Sequence, residues 1–283
     1  MDGDWVAFGL TDDQAEQYTV LVDGVPQRMR EPVIAWLRHV FRGGDSGLVR
    51  AERTRHIEML TGVPMGVADE RYYRWAQYNE VFRTMKEDHL LKVIDAVLAS
   101  QWRYTQTAGL EEALRLSKSK WMVGTRMGKP GLQAREPEGV QDMVEATIAS
   151  GGTAGQILAR AWGKVHALTP DDPGAYADAV RAVEAAAKPL IEPDNDDATL
   201  GGMAGVMRSQ GDWRLPLREH QHAPTAEMLV AMMRSLYRGH ADRHGTDDYR
   251  DVTHEEAKAG VALAAILVSW FASGAVQRRP VGA

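Results

Sequence analysis

Apolar residues recur at three- and four-residue intervals along most of this chain, which is the spacing that places them on one face of an α-helix. The stretch 25–41 has such a stripe, and 69–100 repeats the pattern with charged residues on the opposite face. The stripe residues are Val33, Leu37, Val40, Phe41, Trp75, Tyr78, Phe82, Leu90, Ile94 and Leu98. A shorter stretch, 107–119, is also amphipathic. The pattern therefore predicts a mainly all-α fold.

The period changes over residues 120–139. Apolar and polar residues alternate here around a Gly-Lys-Pro-Gly turn at 128–131, and a proline follows shortly afterwards. This pattern is typical of a β-hairpin followed by a linker. We expect a helical N-terminal domain at 1–119, a short β-hairpin linker at 120–137 and a helical C-terminal domain at 138–283.

Helical periodicity resumes in the second half of the chain. The predicted helices lie in 138–150, 154–168, 169–193, 198–207, 225–245 and 252–276. The buried stripe of the fifth comprises Met228, Leu229, Met232, Met233 and Leu236. Gly245 is well placed to end that helix. Thr253 precedes Glu256 by three residues, which predicts a capping box at the start of the last helix.

Composition limits the chemistry that this protein can perform. The 283 residues include no cysteine, which excludes disulfides, zinc–thiolate sites and thiol nucleophiles. The formal net charge is -6, whereas proteins that coat nucleic acid are usually basic. Any RNA contact must therefore be local. The first ten residues lack the basic start and apolar run of a secretory signal, so we expect a cytoplasmic protein.

One uncharged segment, residues 260–276, approaches the length of a membrane span. Its alanines, glycines and serines make it only weakly apolar for lipid. A helix buried on all sides of a bundle has the same composition, and we expect this second arrangement rather than a membrane anchor.

Glycine-rich stretches and histidine pairs give weak signals for ligands. The segments 150–156 and 200–205 lack the Gly-Lys-Ser/Thr ending of a phosphate-binding loop. His240 and His244 are four residues apart, and Asp247 or Asp248 could add a carboxylate, but no third ligand is fixed. His220 and His222 form a separate pair, while His254 has no second histidine at metalloprotease spacing. We expect neither a metal nor a cofactor.

An arginine six residues before a histidine is the spacing used by helical, metal-independent ribonucleases. Six pairs satisfy it: Arg50/His56, Arg83/His89, Arg160/His166, Arg214/His220, Arg234/His240 and Arg238/His244. Position favours the last pair, because Arg238 falls in the final turn of a strong amphipathic helix and His244 where that helix stops. Six residues rotate an α-helix by about 240°, so cooperation requires the helix to end between them or a second subunit to supply one. The alternative is a charged helix end with a solvated histidine.

The second half of the chain also resembles a known family. An alanine-rich stretch at 176–191, an Ala-Thr-Leu-Gly turn at 198–201, the Arg-His-Gly at 243–245 and the final helix ending near Trp270 occur in the order found in abortive-infection proteins of the HEPN superfamily. The resemblance covers about residues 138–279. It implies a HEPN-like helical bundle that forms a homodimer, with an Arg/His motif near the dimer cleft. Many relatives are RNases of phage-defence or toxin systems, and others bind nucleotides or partners without catalysis.

The resemblance implies roles for particular residues. His244 matches the family histidine, the general acid/base; Arg238 fits the usual arginine spacing, and Arg243 matches the adjacent arginine of this subgroup. Asp242 lies where a polar neighbour often occurs. Glu184 is a candidate for an inward carboxylate that orients a base, or a surface residue of an amphipathic helix. One feature departs from a clear RNase: the acidic residues around the motif, Asp242, Asp247, Asp248 and Asp251, balance its positive charge.

Overall fold

The computed structural model describes residues 21–42, 48–66, 72–102, 105–126, 128–239 and 251–278. The chain forms two compact units, Met1–Arg135 and Glu136–Ala283. The described residues contain eleven helices and only short strands. The predicted mainly all-α fold is therefore confirmed.

The described part of the first unit combines five helices with two small antiparallel sheets. Its helices are α1 (Gln27–Arg42), α2 (Ala51–Thr61), α3 (Trp75–Thr84), α4 (Glu87–Ser100) and α5 (Ala108–Leu116). Its strands are β1 (Leu48–Arg50), β2 (Tyr72–Arg74), β3 (Trp121–Arg126) and β4 (Lys129–Ala134). Strand β1 pairs with β2, and β3 pairs with β4. The second pair is the predicted hairpin, with Val123 opposite Leu132.

The predicted helical stretch 69–100 is divided in the structure. Strand β2 occupies its start, and the helix breaks between Thr84 and Glu87. The buried Arg30 explains how the break is stabilised, since its Nη1 donates to the carbonyl oxygens of Phe82, Arg83 and Met85 at 3.0, 3.1 and 2.8 Å. Carbonyls at a helix end have no partner within the helix. The guanidinium of α1 therefore caps the end of α3.

In its described residues the second unit contains the other six helices and one short pair of strands. The helices are α6 (Glu138–Ser150), α7 (Gly152–Val165), α8 (Asp172–Ile191), α9 (Leu200–Gln210), α10 (Thr225–Gly239) and α11 (His254–Ala272). Strands β5 (Trp213–Arg214) and β6 (Gln277–Arg278) pair antiparallel. The described part of the second unit is therefore almost entirely helical.

Small residues bring the central helices of this bundle close together. The buried face of α8 includes Ala175, Ala179 and Ala182, and that of α11 includes Ala264 and Ala265. Both faces contribute to one apolar core. None of the helices in the described residues has the length and apolar character needed to cross a membrane. The uncharged segment in α11 is thus part of the core of its unit, as its composition indicates.

Local helix signals agree with the structure at several ends. Thr253 and Glu256 form the predicted capping box at α11, and Thr199 accepts a hydrogen bond from the amide of Gly202 at the start of α9. In α10, Leu229, Met233 and Leu236 are buried as expected, but Met228 is exposed. Gly245, the predicted end of that helix, lies outside the described residues.

Candidate functional site

Only one of the four predicted site residues lies in the described part of the chain. Arg238 occupies the last turn of α10 and is exposed. Asp242, Arg243 and His244 fall in 240–250, outside the described residues, as does the candidate ligand His240. Arg238 and the residues around it are therefore the described part of the predicted site.

Arg238 borders a cleft of about 460 Å³ between α8, α10 and the start of α11. The residues on either side of 240–250, Gly239 and Asp251, both line this cleft. Its other lining residues are Tyr176, Ser235, Leu236, Val252, Glu256, Ala259, Gly260 and Leu263.

The Tyr176 side chain packs closely against two glycines at the cleft. A Cβ at Gly260 would lie 2.6 Å from the Tyr176 ring, and one at Gly239 would lie 2.1 Å from its hydroxyl oxygen. The hydroxyl donates to the carbonyl oxygen of Leu236 at 3.1 Å. Burial, assisted by the charge of Glu256, raises the pKa of this phenol. Tyr176 is therefore a neutral wall of the cleft that fixes the last turn of α10.

The charges along the described cleft lining are mixed. Arg238 forms no hydrogen bond or ion pair with another described residue. Two carboxylates, Asp251 and Glu256, line the same cleft, and Glu256 also accepts from the amide of Thr253 at 3.0 Å within the capping box. One arginine faces two acids, so the described walls alone do not form a strongly positive anion site.

No family model, no curated protein and no solved structure matches this chain. A function for the cleft must therefore be argued from its own residues and from the sequence resemblance.

A second cleft, of about 570 Å³, lies between α9 and the first half of α10. Arg208 and Arg234 line it, together with the apolar side chains of Met207 and Val230. Arg234 and Arg238 are four residues apart on α10. Within one subunit they border different clefts.

Glu184, His220 and His222 do not line the cleft that Arg238 borders. Glu184 accepts from the amide of Leu200 at 2.9 Å, so it caps the start of α9. His220 and His222 lie exposed, with their ring centroids 5.5 Å apart. No group of three or more potential metal ligands occurs among the residues that the structure describes.

The second unit also contains a buried polar network that the sequence did not predict. The carboxylate of Asp178 is almost fully buried and contacts Lys164 at 3.0 Å and both Arg160 and Arg181 at 3.4 Å. Burial by itself would raise the pKa of Asp178, but Lys164 and Arg160 outweigh it and hold the pKa below its usual value. The carboxylate therefore stays charged and joins α7 to α8.

Arg160 and His166 match the arginine–histidine spacing but are not accessible as a catalytic pair. His166 is 3% exposed, and its ring lies 4.1 Å from that of Trp162. Its Nδ1 is 3.5 Å from the carboxylate of Glu136, which also contacts Lys258 at 2.5 Å. Burial is the main reason that the pKa of His166 falls from 6.5 to about 4; Glu136 opposes this shift, while Lys258 and His254 add to it.

We expect His166 to make the second unit less stable in mild acid. Its folded pKa is below its unfolded value, so the unfolded chain binds more protons as the pH falls from about 6.5 to 4. The associated loss is about 2 kcal/mol in the free energy of unfolding between pH 7 and 5. Thermal unfolding of His166→Asn should show a smaller pH dependence than wild type. His222→Asn, which changes an exposed histidine, is the control; equal slopes for wild type and His166→Asn would contradict the assignment.

Proposed function

We propose that this protein is a metal-independent endoribonuclease that acts as a homodimer in a phage-defence, abortive-infection or toxin-like system. One observation carries the proposal: the exposed Arg238 lines a cleft that Gly239 and Asp251, the described residues on either side of 240–250, also line. The sequence resemblance supplies the catalytic role of that segment. The cytoplasm is the expected location.

The proposed reaction uses the RNA as its own nucleophile. His244 removes the proton of a 2′-hydroxyl, the 2′-oxygen forms a bond to the adjacent phosphorus, and the bond from phosphorus to the 5′-oxygen breaks. The protonated imidazole then gives its proton to the leaving 5′-oxygen, and the products carry a 2′,3′-cyclic phosphate and a 5′-hydroxyl. Arg238 and Arg243 neutralise charge on the phosphate. Asp242 is the polar neighbour of this pair.

A dimer would increase the positive charge relative to the acidic residues at the cleft. Asp251 and Glu256 oppose Arg238 in one subunit, whereas phosphate binding requires a positive excess. Two copies of the arginines near the end of α10 would raise the positive charge in a shared groove. Sedimentation analysis of the intact chain would test this part of the proposal, and a monomer would contradict it.

The proposal predicts RNA cleavage without metal. The intact protein is incubated with mixed single-stranded and structured RNA in excess chelator. We expect fragments with 2′,3′-cyclic phosphate ends, because the 2′-hydroxyl is the nucleophile. RNA methylated at the 2′-oxygen is the matched control and should remain intact. Cleavage that requires added metal, or that proceeds on the methylated RNA, would contradict the mechanism.

The second candidate function is a non-catalytic module that binds a nucleotide or a protein partner. The mixed charge and the volume of the cleft favour it, since small-molecule sites of several hundred Å³ commonly have apolar walls with few polar groups. A ligand that binds only the folded state raises the unfolding temperature. Strong stabilisation by a mononucleotide, with no RNA turnover, would favour this second function.

A further inference from the structure

The first unit carries a local concentration of positive charge in an acidic protein. Residues 38–58 include five arginines and two histidines against three carboxylates, while the whole chain has a net charge of -6. Two of those carboxylates already have partners. Glu58 accepts from the amide of Met65, and Glu52 pairs with Arg50 at 3.5 Å.

Two of these side chains lie beside the ring of Trp102. The guanidinium of Arg53 lies 5.0 Å from the ring centroid of Trp102, and the ring of His56 lies 6.1 Å from it. Arg53 also donates to the carbonyl oxygen of Val40, which connects α2 to the last turn of α1. Phe41 supports the other side of the arrangement, with its ring 5.7 Å from Trp102 in an edge contact. The planar groups are therefore held in place from the protein interior.

The outer part of this surface is accessible. Arg55 and His56 are exposed on α2, and Trp102 is half-buried. Met59 and Leu60 continue the exposed surface of α2, with 79% and 58% of their areas accessible. We call Arg53, Arg55, His56 and Trp102 the arginine–tryptophan patch.

We propose that the arginine–tryptophan patch binds single-stranded nucleic acid. Its arginines provide the charge that attracts phosphates, and its planar side chains provide surfaces on which unpaired bases stack. A duplex hides its base faces and cannot use the second feature. The exposed apolar residues beside His56 favour contact with bases over contact with the phosphate backbone alone. This inference does not depend on the proposed cleavage, which is assigned to the other unit.

The test measures binding without cleavage. The intact wild-type chain is titrated into a labelled 2′-O-methyl RNA of about 12 nucleotides, a length within the range for single-strand sites. Methylation removes the nucleophile, so failure of the ribonuclease proposal would leave this measurement readable. We expect fluorescence anisotropy to show tighter binding to the single strand than to a blunt duplex of the same sequence, weakening as salt rises from about 50 to 200 mM. Equal binding to both would overturn the proposal.

Substitutions then locate the contact. Arg55→Glu should weaken binding about tenfold and reduce the salt slope, because one phosphate contact is replaced by repulsion. Lys92→Glu makes the same charge change on the exposed side of α4 and should have less than about a twofold effect by the same criterion. Equal losses from Arg55→Glu and Lys92→Glu would show a general charge effect and overturn the site.

Stacking is tested separately at His56. His56→Ala should weaken binding about fivefold, within the range for one base–aromatic contact, and His56→Phe should restore most of it. Retained affinity in His56→Ala would remove the stacking part of the proposal. Binding of an acidic peptide in preference to the single strand, lost in Arg55→Glu, would identify the patch as a protein-binding surface and overturn the nucleic-acid proposal.

Discussion

His244→Ala is expected to lower the rate of RNA cleavage at least 100-fold. A positioned general acid/base contributes roughly 10²–10⁴ to a rate, and the proposed mechanism gives this role to the imidazole of His244. Arg238→Ala should also reduce the rate, because the guanidinium at the cleft would no longer neutralise charge on the phosphate. The measurement is single-turnover cleavage of labelled RNA in chelator.

The control variant for this prediction is His222→Ala. His222 is an exposed loop histidine in the same unit and has no assigned role, so its removal should leave the rate unchanged. The unfolding temperature of each variant is recorded, which separates a lost catalytic group from a lost fold. Equal rates for wild type and His244→Ala would contradict the catalytic assignment and leave the binding module as the remaining function.

Arg30→Met is expected to destabilise the first unit by about 3 kcal/mol. The substitution keeps much of the side-chain volume but removes the donor that reaches the carbonyl oxygens of Phe82, Arg83 and Met85. Hydrogen bonds from charged donors contribute about 1.5–3 kcal/mol, and buried carbonyls left without a donor add a penalty. Hydrogen exchange in α3 and α4 under increasing urea measures the loss where it should occur.

Arg28→Met is the matched change on the same helix. Arg28 is exposed and, within the described part of the chain, donates only to the carbonyl oxygen of Ser117, so we expect a loss of about 1 kcal/mol. If Arg30→Met and Arg28→Met lower the free energy of unfolding by the same amount, the cap on α3 does not contribute more to stability than an exposed hydrogen bond. Loss of protection confined to helices other than α3 and α4 would also count against it.

The helices were predictable because their signals are local. The stripe Val33, Leu37, Val40 and Phe41 is fully buried in α1, since periodic apolar residues must share one face of a helix. The capping box at Thr253 is a contact over three residues and is equally readable. The β-hairpin followed from alternation around its turn.

The division of 69–100 was not predictable, because its cause is distant in sequence. Arg30 lies more than fifty residues before the carbonyls that it caps. The short strands β1 and β2 also pair across a long separation, with Val49 opposite Tyr73. Neither contact leaves a periodic signal, and the apolar stripe continues across the break.

The arrangement of the candidate site residues was likewise not predictable from the sequence. Spacing alone selects six arginine–histidine pairs, and only the structure shows that His166 is buried beside Trp162. The role of Glu184 depends on Leu200, which α8 and α9 bring into contact. The network around Asp178 combines residues of two helices in the same way. The catalytic assignment to His244 stays a prediction from sequence.

Glu256 has two positions at once: it caps the first turn of α11 and it lines the cleft beside Arg238. A positively charged ligand group entering the cleft would compete with the amide of Thr253 for the same oxygen atoms. Occupancy would then loosen the start of α11, and amide exchange there would report binding without any label. An anionic ligand would not compete for these oxygen atoms and would leave the first turn of α11 intact. Faster amide exchange in that turn would therefore indicate a positively charged ligand, and unchanged exchange an anionic one.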